Sequence, residues 1–169
     1  ISIIENKSIG VYKDKILVVE DNADMREYIK EELQNEFTIL EACNGNQGFD
    51  IAINESPNLI LSDIMMPNID GIEFCKKIKT DERTSHIAVI LLTAKSSRES
   101  KIEGLETGAD DYLTKPFYSD ELRLRINNII DSRRKFREQF GKTLDLKPSN
   151  IQITSVDQKF IKNAINIIE

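Results

Sequence analysis

Short apolar runs that each end on a polar residue set the rhythm of this chain. Ile16 to Val19 closes on Glu20 and Asp21, Leu59 to Ser62 on Asp63, and Ala88 to Leu92 on Thr93, while the shorter Asp111 to Leu113 precedes Lys115-Pro116. Such continuous runs predict strands buried on both faces, and Phe37 to Ala42 adds one more between the first two. Between the strands the apolar positions fall at helical spacing. Met25, Tyr28, Ile29 and Leu33 follow a cap at Asn22 or Asp24; Phe49 to Ile53 stops near Ser56-Pro57; Ile72, Phe74, Cys75 and Ile78 end by Thr80. Ser97 to Glu106 predicts a weaker, mostly polar helix held by Ile102 and Leu105, with Gly108 as its stop. Leu122, Leu124, Ile126, Ile129 and Ile130 predict a long helix continuing to Phe140.

Five strands alternating with five helices specify an α/β fold, a doubly wound parallel sheet with right-handed crossovers. Residues 1–14 show no sustained periodicity and read as a linker or entry arm; residues 15–132 hold the alternating pattern. Residues 133–150 read as a basic helix extension that Gly141 to Ser149, with Pro148, turns into a linker. In residues 151–169 a Ser155-x-x-Gln158 capping box precedes Phe160, Ile161, Ala164, Ile165 and Ile168, an amphipathic helix with nothing left in the chain to pack against.

Composition narrows this picture in three ways. At 169 residues, 40% apolar and 31% charged, the chain is ordinary for a soluble domain with an appendage. No apolar run approaches the ~20 residues that span a bilayer and nothing resembles a signal peptide, so a cytoplasmic protein, or the cytoplasmic part of a membrane-anchored one, is expected without membrane contact of its own. Cys43 and Cys75 have no second cysteine nearby and no histidine at ligand spacing, which predicts buried free thiols. The net charge of −6 is uneven: residues 131–150 carry six basic side chains against three acids, which leaves −9 for the remainder. That acidity argues against nucleic-acid binding by the bulk of the chain, and the basic cluster reads as a solvated helix face or linker, with a phosphate-contacting patch as the alternative. The start at Ile1 suggests a piece of a longer polypeptide.

A parallel sheet carries distant strand ends to one edge, here Glu20 and Asp21, Asp63, Thr93 and Lys115. Three carboxylates crowded there repel one another and invite a divalent cation; all-oxygen ligation suits Mg2+. An aspartate, a hydroxyl and a lysine beside that ion form a phosphoryl-accepting site, with the aspartate as nucleophile. The alternative for Asp63 alone is a helix cap. His86, the single histidine, lies in a polar loop and reads as a surface side chain. No kinase signature, nucleotide-binding loop or Asp-x-Asp-x-Thr phosphatase pattern is present.

Four segments carry a resemblance: Ile-Leu-Val-Val-Glu-Asp (16 to 21), Leu-Ile-Leu-Ser-Asp-Ile-Met-Met-Pro with Asp70-Gly71 (59 to 71), Val-Ile-Leu-Leu-Thr-Ala (89 to 94) and Gly-Ala-Asp-Asp-Tyr-Leu-Thr-Lys-Pro-Phe (108 to 117). Together they resemble the receiver domain of bacterial two-component response regulators. The resemblance implies a flavodoxin-like five-stranded sheet of order 2-1-3-4-5 and a histidine kinase as phosphodonor. It implies Asp63 as phospho-acceptor, Asp21, Asp63 and the backbone carbonyl of Met65 as direct Mg2+ ligands, and Glu20 as a ligand through water. Thr93 and Lys115 would bind phosphate oxygens, Thr93 and Tyr112 would switch, and Lys115-Pro116 is a candidate cis bond. Asp110, Asp111, Arg123 and Arg125 resemble positions through which receivers dimerise, using the fourth helix, fifth strand and fifth helix of the pattern. The tail from Leu146 resembles the entry to an AraC-type helix-turn-helix domain, as in hybrid sensor-regulators, so DNA contact is expected only through an output domain this chain lacks. The expected function is a phosphorylation-dependent signalling receiver and not an enzyme on a separate substrate. The rivals are a pseudo-receiver interaction module, a phospho-relay intermediate of a hybrid kinase, and an acyl-phosphate enzyme; the last would need a cap or a second acid two residues past the nucleophile, where Met65 stands.

Overall fold

A computed structural model describes residues 12–94 and 107–144 of the chain. The helix expected over Ser97 to Glu106, the entry arm up to residue 11, and the segments 145–150 and 151–169 lie outside the described residues. The elements run β1 (Lys15–Val19), α1 (Ala23–Leu33), β2 (Thr38–Ala42), α2 (Gly45–Glu55), β3 (Leu59–Asp63), α3 (Gly71–Thr80), β4 (Ala88–Thr93), β5 (Asp111–Thr114) and α4 (Ser119–Leu144). The five strands form one parallel sheet in the order β2-β1-β3-β4-β5, the expected flavodoxin-like arrangement. Four helices stand among the described residues. The chain divides into two compact units, Ile1–Ser132 and Arg133–Glu169. The sheet belongs to the first. In the second, the rings of Phe136 and Phe140 meet at 4.8 Å.

Alternation along the buried strands sends side chains into two separate layers. Ile16 and Val18 of β1, Leu59 and Leu61 of β3, and Ile90 and Leu92 of β4 pack with Ile29 and Leu33 of α1 and Leu122, Ile126 and Ile130 of α4. Leu17, Val19, Ile60, Val89 and Leu91 point the other way, onto Phe49 and Ala52 of α2 and Phe74, Cys75 and Ile78 of α3. Every residue of β3 and β4 is buried, whereas the edge strands β2 and β5 are largely half-buried. Helix starts are fixed by side chains that accept from the first turn: Asn22 from Met25 N, Asn44 from Gln47 N and Asp70 from Glu73 N. The α1 cap is thus Asn22 and not Asp24. Ser56, at φ 45°, ends α2 immediately before Pro57.

Three expectations need correction. Cys43 is exposed, because the buried part of β2 ends at Ala42 and Cys43 already belongs to the turn; Cys75 is buried as expected. Gly141 does not begin a linker: α4 runs through it to Leu144. A single exposed glycine costs a helix only about 1 kcal/mol, too little to stop one this long. Tyr28 and Leu124, counted among the packed positions, are 40% and 61% exposed. No helix of the described residues is long and apolar enough to cross a membrane.

Leu61 is fully buried between α1 and α4. Leu61→Ala is expected to lower unfolding free energy by about 2–5 kcal/mol in urea titrations. Leu124→Ala should stay within about 0.5 kcal/mol of wild type.

Candidate functional site

The site forms where β1, β3 and β5 stop and the backbone turns away from the sheet. Val19 is the last residue of β1, and Glu20 holds the edge with its N–H on the Ala42 carbonyl (3.1 Å). Its carboxylate is 1% exposed and accepts from the backbone N–H of Asn22 (3.1 Å) and from Lys115 Nζ (2.8 Å). Lys115 follows β5, with its backbone N–H on the Thr93 carbonyl (2.7 Å) and its ammonium 3.2 Å from Asp63 Oδ1. Asp63 is the final residue of β3 and is also buried. Asp21 is exposed beside them. An open cleft of about 530 Å³ is lined by these four residues together with Asn22, Asp24, Met25 and Tyr28.

The loop after Asp63 is folded onto the strand end. The Ile64 carbonyl accepts from Met66 N (3.1 Å) and Gly71 N (2.9 Å), and Asn68 adopts a left-handed φ of 69°. Gly71 cannot be anything larger: a β-carbon there would run into the Asp63 carbonyl oxygen and lie 2.7 Å from Ile64 Cα. Met65 stands in this loop, 67% exposed.

Glu20, Asp21 and Asp63 each offer a ligand oxygen, and those atoms lie within 4.8 Å of one another. Three carboxylates face one ammonium, so the site carries an uncompensated negative charge. The all-oxygen donor set fits a hard divalent cation such as Mg2+. Burial pushes the Glu20 carboxyl above its ordinary 4.5, against the opposing pull of Lys115 and the Asn22 N–H, while the Asp63 charge adds to the rise. For Lys115 burial works to lower the ammonium, but Glu20 first and then Asp63 outweigh it and hold the group above its usual 10.5.

The other residues singled out in the sequence lie on β4, β5, α4 and the loops beside them. Thr93 is buried at the end of β4, in register with Thr114. Tyr112 is half-buried on β5 with its hydroxyl 3.4 Å from Thr107 Oγ1, and burial raises its phenol. The Lys115-Pro116 peptide is cis. Asp110 accepts from Lys79 Nζ (2.8 Å) and Val89 N (2.8 Å), and Asp111 binds Arg125 Nη1 (2.8 Å). Arg123 reaches Glu32 of α1 through both its carboxylate (3.0 Å) and its carbonyl (2.7 Å). His86 is exposed.

Sequence reasoning missed Arg26, whose Nη1 donates to the Glu20 carbonyl (2.7 Å). Its position on the polar side of α1 gave no signal, because the contact exists only once α1 is folded back on the sheet edge.

The response regulator receiver domain family model matches residues 16–127. The chain belongs to this family. The chain is 46% identical over 157 residues to "Histidine kinase P4" of Formosa agariphila, a match covering 93% of this chain and 12% of that protein. It is 44% identical over 116 residues to the phosphate regulon transcriptional regulatory protein PhoB of Pseudomonas aeruginosa, covering 68% of this chain and 51% of PhoB. Among solved structures it is similar to the signal receiver domain of a signal transduction histidine kinase from Syntrophus aciditrophicus, at 27% identity and a TM-score of 0.67, over 82% of this chain and 98% of that one. The chain therefore spans about half of its PhoB relative and a small part of the kinase. Receivers are two-component signalling modules, and the acid cluster is where this one fits Mg2+.

Because its carboxyl is raised in the folded state, Glu20 contributes stability below 4.5 that is lost as pH rises through the raised value. Glu20→Gln, which keeps the neutral shape, is expected to be more stable than wild type at neutral pH without divalent cation. The difference should vanish below pH 4.5, as measured by urea unfolding across pH.

Proposed function

We propose that this receiver takes a phosphoryl group from a histidine kinase onto Asp63. The observation that carries the reading is the cluster of Glu20, Asp21 and Asp63 oxygens within 4.8 Å, with Lys115 at 3.2 Å from Asp63. An Asp63 carboxylate oxygen attacks phosphorus, the bond to the donor imidazole nitrogen breaks, and the imidazole leaves with the electron pair. Bound Mg2+ supplies charge neutralisation for the transferring phosphoryl oxygens. Asp21, Asp63 and the Met65 carbonyl would hold it directly. Glu20 would act through water, which suits a carboxylate whose two oxygens already accept from Asn22 and Lys115. Lys115 and Thr93 take phosphoryl oxygens, and the new charge draws on both and biases Thr93 and Tyr112 between two packings.

The wider reading is that residues 15–132 are the receiver of a hybrid sensor-regulator whose output is an AraC-type helix-turn-helix domain beginning within 151–169. The match to a histidine kinase over 93% of this chain supports it, since 157 matched residues extend past the receiver itself. In that setting the receiver works on the cytoplasmic side, dimerises through Asp110, Asp111, Arg123 and Arg125, and contacts DNA through the output domain alone.

Acetyl phosphate with Mg2+ is expected to add the mass of one phosphoryl group to the wild-type chain, and none to Asp63→Asn. Omission of Mg2+ should slow labelling by at least about tenfold. An unlabelled wild type, or equal labelling of Asp63→Asn, would overturn the assignment.

A further inference from the structure

The Glu20 peptide is held in an unusual way. Its N–H completes the ladder to β2 on the Ala42 carbonyl, yet among the described residues no backbone N–H reaches its own carbonyl, because the chain leaves the sheet at this residue. Arg26 fills that place: Nη1 donates to the Glu20 carbonyl at 2.7 Å, and Nε lies 3.5 Å from Glu41 Oε1 on β2. Glu41 also holds Lys30 Nζ at 2.9 Å, so the guanidinium is anchored from a second element. The Arg26 side chain is only 20% exposed. Its planar fork spans a carbonyl and a carboxylate at once, which a single ammonium does less well.

The Glu20 carbonyl is part of the peptide that joins Glu20 to Asp21, two of the three clustered acids. Rotation of that peptide would swing both carboxylates relative to Asp63. We propose that Arg26 is a positioning residue for the divalent-cation site: it fixes the Glu20-Asp21 peptide and, through Glu41, ties cation affinity to the β2 edge. Arg26 touches neither the ion nor the phosphoryl group and acts only through the backbone it holds. This inference rests on the reading of Glu20, Asp21 and Asp63 as the cation site.

The test is calorimetric titration of the metal-free full chain with MgCl2, beside melting curves without the ion. Arg26→Gln should weaken Mg2+ binding by about tenfold, as loss of such outer contacts does. Arg26→Lys, which keeps one donor and the charge, should recover part of that loss. Both variants should melt within about 5 °C of wild type without Mg2+. Glu41→Gln should cost about threefold, since it loosens the guanidinium without removing its donor. Wild-type affinity in Arg26→Gln overturns the proposal. So does a loss that Arg26→Lys shares in full and that tracks lowered melting in both. Should Arg26→Gln fail to fold, Glu41→Gln decides, and unchanged affinity there overturns it. A wild type that binds no Mg2+ sinks the cation-site reading itself, a result distinct from equal binding by wild type and variant.

Discussion

Crowding of negative charge at one edge of the sheet is the constraint on which the rest depends. Three carboxylates have ligand oxygens within 4.8 Å of one another, with two of the acids buried. At such separations each pair repels by about 3–4 kcal/mol for an effective dielectric near 20. Lys115 offsets part of this through contacts of 2.8 Å to Glu20 and 3.2 Å to Asp63, but one positive charge cannot balance three negative ones. Burial keeps the Glu20 carboxyl raised even with that lysine beside it. The site is therefore held under electrostatic tension by the fold, which a divalent cation would relieve.

What holds the carboxylates in place is the sheet itself. β3 and β4 are buried along their whole length and cannot shift without exposing apolar surface on both faces, so Asp63 and Thr93 are delivered to fixed points. The turns beyond are pinned by backbone bonds and caps rather than by side-chain bulk. Asn22 both caps α1 and gives its N–H to Glu20, and Gly71 lets the following loop close against the Asp63 carbonyl. Packing energy from two core layers thus maintains a geometry that the local charges oppose.

The same physics explains what could be read from residues alone. Central strands were legible because burial on both faces forces continuous apolar runs, and the site was legible because its polar residues terminate those runs. Arg26, the Lys79-Asp110 pair and the bond from Arg123 to Glu32 were not, since each joins elements whose proximity exists only after folding. Cys43 was misjudged because a strand's buried stretch can end one residue before its apolar spelling does. Gly141 was misjudged because a lone glycine weakens an exposed helix without ending it.

The charges offered for self-association show how such a surface has to work. Asp110 is engaged by Lys79 and Val89 N, Asp111 by Arg125, and Arg123 by Glu32, all within one chain. An interface built on them exchanges partners instead of gaining new ones, and exchange between half-exposed ion pairs is worth little. Net attraction in any such interface would then have to come from apolar area such as Leu124, which is 61% exposed on the same helix as Arg123 and Arg125. Ion pairs of this kind would set register and partner choice, while the free energy of association would follow the apolar surface covered.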